Sequence, residues 1–144
     1  VIRRASVVAR LKAQAPSLRL VEGLAQLAAL KQNPPTNVQP AAYVVPVSET
    51  ASDNRLANGV AQRNAVTFGV VLCVTDLSDP RGVDAGDALD RARGEIRAAL
   101  VGWTPEGADG PALFLGGETV DLDRFGALWW MDRFRATESI RRIG

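Results

Sequence analysis

The clearest pattern in the chain is a period-two run between Val60 and Thr75. From Val66 its even positions are Val66, Phe68, Val70, Leu72 and Val74, and its odd positions are Thr67, Gly69, Val71, Cys73 and Thr75. Such alternation puts one face of a long strand in a core, and the small side chains on the other predict a second surface close by. Ala41 to Val47 is a further run of β-formers, in which Pro46 lacks a ladder donor and so marks an edge or a bulge. Helical spacing occurs over 2–14, from Glu22 through Leu24, Leu27, Ala28 and Leu30, and over Val83 to Leu100 through Leu89, Ala92 and Ile96. Pro16 and then Asn33-Pro34-Pro35 end the first two helices, because proline has no N–H for a continuing helix. Asp84, Asp87 and Asp90 open the third, where the helix dipole favours negative charge.

Shorter signals complete the order. Leu18 to Val21 alternates enough for a strand, and Ala112–Leu115 and Thr119–Leu122 flank Gly116-Gly117-Glu118, the pattern of a hairpin turn. Leu128 to Ala136 makes a final strand carrying Trp129, Trp130, Met131 and Phe134. Between two of the strands, residues 48–59 form a polar connector, long enough to be either functional or disordered. The expected fold is therefore α+β: one domain over 1–144, an antiparallel sheet of four to five strands, and two to three helices packed on one face.

Composition then removes whole classes of chemistry. The 144 residues contain no histidine and one cysteine, so no Ser-His-Asp triad, Cys-His pair or usual zinc site can form. Cys73 has no disulfide partner in the chain and reads as buried and inert. Net charge is +1, which makes no global case for nucleic acid or a membrane surface. The charge is nevertheless polarised: Arg3, Arg4, Arg10, Lys12, Arg19 and Lys31 stand against Glu22 alone, whereas 76–109 holds eight acids and four arginines. No apolar run is long enough to span a bilayer, and the opening Val-Ile-Arg-Arg lacks a signal peptide's apolar stretch, so the expected setting is cytoplasmic.

Two candidate sites remain. Asp121 and Asp123 share a strand face, and Asp76 and Asp79 sit in the turn after the long strand; together they form the weaker, metal-dependent-enzyme reading through an all-oxygen Mg²⁺ or Ca²⁺ site. Gly116-Gly117 lacks the Lys-Ser/Thr and helix of a phosphate loop. Trp129 and Trp130 are neighbours on a strand and must face opposite ways, so one leaves the main core for either a helix on the second face or a subunit partner. The residues favour an interaction protein without cofactor, metal or catalytic group.

Several segments together resemble the bacteriophage tail terminator family. They are Val21-Glu22-Gly23-Leu24-Ala25 with Leu27 to Leu30, Pro40 to Pro46, Gln62-Arg63, and Phe68 to Val74. Gly82, Ala85, Ala88-Leu89, Leu100 to Pro105, and Leu128-Trp129-Trp130-Met131-Asp132-Arg133-Phe134 continue the likeness, which covers about residues 18–137. The resemblance implies a small α+β protein, not an enzyme, that forms a hexameric ring on the head-proximal end of a phage tail tube. Such a ring stops tube polymerisation and joins the neck, in phages or in gene transfer agents, with DNA passing through unbound by any specific site. Its partners would be copies of itself, the tail tube protein and head–tail adaptor proteins, in a particle assembled in the bacterial cytoplasm. Another head–tail connector of the same particle is the alternative. Within this frame Asp53, Asn54 and Arg55 at the centre of the polar connector, with Trp129, Trp130 and Arg133, are the expected contact residues.

Overall fold

The computed structural model describes residues 1–30, 39–75, 83–122 and 127–143. In chain order the elements are α1 (Arg4–Gln14), β1 (Leu20–Gly23), α2 (Leu24–Ala29), β2 (Ala41–Ala51), β3 (Val60–Thr75), α3 (Val83–Leu100), β4 (Leu113–Leu122) and β5 (Ala127–Arg142). The strands form one sheet in the order β1-β2-β3-β5-β4. Every pairing is antiparallel except β1 with β2, which run parallel. The α+β class stands, with one parallel pair that strand patterning alone does not reveal.

The alternation in β3 sorts residues onto two faces as expected. Phe68, Val70, Leu72 and Val74 lie in the main core with Ala42 and Val44 of β2 and Phe134 of β5. Val7 and Leu11 of α1 and Leu89, Ala92, Ile96 and Ala99 of α3 close it from above. Phe134 is the centre of an aromatic group, 5.7 Å from the Phe68 ring and 5.5 Å from that of Phe114. The two helices are also tied by polar bonds: Arg10 Nε donates to the Ala99 carbonyl at 2.9 Å, and the Ser17 N–H donates to Glu95 at 2.7 Å. The first of these satisfies a carbonyl at a helix end that has no partner within its own helix.

The other face has its own smaller core, Ala41, Tyr43, Val45, Val71, Cys73, Ala127 and Trp129, with Leu27 and Leu30 packed against it. Helices therefore cover both faces: α1 and α3 on one, the short α2 on part of the other. Gly69 shows why small residues are needed on this side of β3. A Cβ there would lie 2.7 Å from Met131 Sδ and 3.2 Å from Val47 Cγ2.

Two expectations about connections are corrected. Gly116-Gly117-Glu118 is not a hairpin turn but lies inside the single strand β4. Leu113 and Phe114 pair with Arg135 and Phe134, and Gly116 to Leu122 pair with Arg133 to Leu128, so the chain runs on along one neighbour. The glycines mark the bulge between Phe114 and Gly116, where Gly116 has a φ of 141°. Secondly, the polar connector is shorter than 48–59. β2 continues to Ala51, which opposes Asn64, and Ser48, Glu49 and Thr50 are paired strand residues. The ladder hydrogen bonds with β3 hold this outer, solvent-exposed part of the strand, so hydropathy misses it. Pro46 does sit at a bulge, between Pro46 and Ser48, and beyond the end of β1.

Candidate functional site

The expected contact residues lie in three separate places. Asp53, Asn54 and Arg55 belong to the turn that joins β2 to β3, and all three are exposed. Asn54 organises that turn. Its Nδ2 donates to the carbonyls of Leu56 (3.2 Å) and Gly59 (3.0 Å), and its Oδ1 accepts the N–H groups of Leu56 (3.2 Å) and Ala61 (2.8 Å). The Ser52 N–H donates to the Arg63 carbonyl (2.7 Å) and its Oγ accepts the Arg63 N–H (2.9 Å), closing the base. The amide of Asn54 is thus engaged within the turn, and Asp53 and Arg55 are the side chains it presents.

Trp129 and Trp130 face opposite ways, as neighbours on a strand must. Trp129 is 7% exposed in the second core, beneath Leu27 of α2 and Leu30 just after it, so a helix and its end supply its cover. Trp130 packs against the main core, where its indole Nε1 donates to Asp132 Oδ1 at 2.9 Å. Asp132 is 1% exposed and also accepts from Arg93 of α3, at 3.1 Å from Nε and 3.0 Å from Nη2. The Arg93 guanidinium in turn lies 4.4 Å from the Trp130 ring centroid. A bidentate charged pair stacked on an aromatic ring satisfies a buried carboxylate and fixes α3 to β5. Gly117 lies against this group, and a Cβ there would collide with the Asp132 carboxylate.

Arg133 points to the opposite face, where it pairs with Glu118 of β4. Parity along β5 places Arg135 and Arg141 on that same side, and Arg63 of β3, opposite Ser139, joins them. Sequence reasoning singled out Arg133 alone; the signal for the others was arginine at alternate positions of a strand whose end was set too early.

Two buried groups were also missed. Among the described residues the Tyr43 hydroxyl has no hydrogen-bond partner, and its pKa is pushed up to about 12 by burial first and then by Glu22 and Cys73. Glu138 is 7% exposed. Burial pushes its carboxyl up, but hydrogen bonding, first from Asn64 Nδ2 (2.8 Å), outweighs it and holds the pKa below the usual value.

Of the four aspartates in the metal reading, Asp76, Asp79 and Asp123 lie outside the described residues, and Asp121 is exposed on β4. Among the described residues no three Cys, Asp or Glu side chains gather in a group able to hold a metal ion. Nor, among them, is any helix long and apolar enough to cross a membrane.

Among the described residues the chain displays a sheet with one helix-covered face, a second face covered in part, and outer strands paired on one side. The comparisons give this architecture its family. The chain matches the phage tail terminator protein family over residues 2–144 and belongs to it. It is therefore a structural protein of a phage or phage-like particle. Among solved structures it is similar to a chain of the virion of a native gene transfer agent particle, with a TM-score of 0.53 and 18% identity over 96% of both chains. At that identity the likeness is one of fold. No curated protein matches the chain in sequence.

Proposed function

We propose that the protein caps the head-proximal end of a tail tube as a closed ring of identical subunits, hexameric in the manner of its family, stopping tube growth and joining the tube to the neck. The observation that carries the ring is the sheet's pair of one-sided strands. Among the described residues, β4 pairs only with β5 along Leu113–Leu122, and β2 beyond Val44 pairs only with β3. β4 ends the strand order and the outer part of β2, past the end of β1, forms the opposite margin, so a contact between them in successive copies is head-to-tail, and such contacts make a ring where their rotation closes. The turn at 52–59, with Asp53 and Arg55 at its surface, projects from the outer part of the sheet and is the surface we assign to the tube or an adjacent subunit.

The test is to mix purified protein with tail tubes of the same particle and image them by electron microscopy. A ring of density at one tube end is the expected result. Bare tubes with density on capsid portals would instead make the protein a neck connector, and binding to neither would overturn both readings.

A further inference from the structure

Outside the patch covered by α2, no helix among the described residues packs on the second face of the sheet. A shallow depression of about 540 Å³ crosses four strands there. Its walls carry Arg63 and Arg135, with the hydroxyls of Thr50, Ser52, Thr67 and Thr137 between them. Arg141 lies on the same face further along β5, opposite Ala61. The guanidinium-bearing positions Arg63, Arg135 and Arg141 are all exposed. Of the acids that approach this region, Glu118 is paired with Arg133, and Asp109, which accepts from the Ser139 hydroxyl, keeps its charge at the β4 side of the face, so the arginines Arg63, Arg135 and Arg141 outnumber it.

We infer that this face binds the phosphodiester backbone of duplex DNA. Arginines and hydroxyls are the side chains that hold phosphate oxygens, and they position a duplex without reading its sequence. Arg63 opposes Ser139, and Arg135 opposes Thr67, so the two arginines stand four residues apart along the sheet. At ~3.3 Å per residue that is about 13 Å, close to four base steps of one DNA strand. No exposed tryptophan or phenylalanine stands among the depression's lining residues, so it offers no platform for stacking the bases of a single strand. An acidic protein surface would be drawn by the same charge, but the lining is hydroxyls with Leu115 at one margin, and it lacks the buried apolar anchor that protein contacts use.

The inference rests on the ring reading only for where the DNA comes from; the binding belongs to the isolated chain. Three phosphate contacts give a log–log salt slope of about −2.7, hence roughly a 40-fold loss of affinity between 50 and 200 mM salt. That is the behaviour of a surface over which DNA slides.

The experiment titrates a fluorescent 30-base-pair duplex of mixed sequence with the wild-type protein, with R63Q/R135Q/R141Q, and with R3Q/R4Q/K12Q on the opposite, helical side. Thermal unfolding of each variant confirms that it is folded. Wild type is expected to bind with the stated salt slope and equally well to a second, unrelated duplex. The sheet variant should bind at least tenfold more weakly at 50 mM salt with a slope near zero, and the helical variant should bind as wild type does. Absence of duplex binding by wild type, capture of polyglutamate but not DNA, or loss of binding only in the helical variant would each overturn the proposal. Capping of tail tubes is read separately, so a protein that caps tubes without binding DNA leaves the ring reading intact and removes this one.

Discussion

Asp132 shows how much of this structure depends on single buried polar residues. Its carboxylate is held by the Arg93 guanidinium and the Trp130 indole in a place with 1% exposure. Removing one partner of a buried pair leaves the other charge uncompensated, which costs about 3–5 kcal/mol. Asp132→Ala should therefore lower the unfolding free energy obtained from urea titration by an amount of that size, while an exposed substitution such as Arg91→Ala should change it by less than about 0.5 kcal/mol. Asn54 is a second such residue, on the surface. Asn54→Ala removes all four hydrogen bonds of its amide and should speed amide exchange at Leu56 and Ala61, at a cost of about 1–2 kcal/mol. Asp53→Ala with Arg55→Ala should leave that exchange unchanged and weaken tail joining, which an infectivity or particle-completion assay reads. Unaltered joining in the double variant would remove the turn from the contact surface.

At the scale of elements, legibility in the sequence followed burial. The inner half of β3 was readable because one of its faces is core, and α3 was readable because Leu89, Ala92 and Ile96 repeat at helical spacing in the same core. The outer parts of β2 and β5 were not. Ser48 to Ala51 and Thr137 to Arg142 are held by ladder bonds across a largely polar surface, and a ladder leaves no hydropathy pattern. The β4 glycines misled for a related reason: turns and bulges both call for glycine, and only pairing with β5 separates them. The candidate site was legible in part, since opposite facing of Trp129 and Trp130 follows from strand geometry, but the depression joins Arg63 to Arg135 through a long-range register. The outer sheet also contains its own titration. Glu138 has a folded-state pKa below the ordinary carboxylate value, so the ionised form, which accepts from Asn64, stabilises the fold. That contribution is complete above the unfolded value of 4.5 and disappears as pH falls through the lowered folded value. Denaturant midpoints measured from pH 7 down to 3 should show a fall at acid pH in wild type that is smaller in Glu138→Gln.

For the whole molecule the decisive question is what keeps β4 from pairing without limit. An unprotected edge is a template for aggregation, and natural sheets interrupt such edges with bulges, charges and glycines. β4 has two register shifts, at Phe114/Gly116 and Thr119/Asp121, yet it also exposes Leu113, Leu115 and Val120 at 47%, 45% and 54%. Bulges that bend an edge, combined with apolar side chains left outside, are consistent with a strand that accepts one partner at a fixed angle. A head-to-tail contact closes a ring when its fixed rotation divides a full turn, and otherwise extends a filament. Leu115→Lys with Val120→Lys adds two charges to this margin without touching the core or Asp132. The double variant should keep the wild-type unfolding free energy within about 0.5 kcal/mol. It should fail to form rings on tail tubes, and tubes polymerised in its presence should grow beyond their normal length in electron micrographs. Normal rings and normal tube lengths would mean that β4 is not the joining edge, and would move the subunit contact to the helical side formed by α1 and α3.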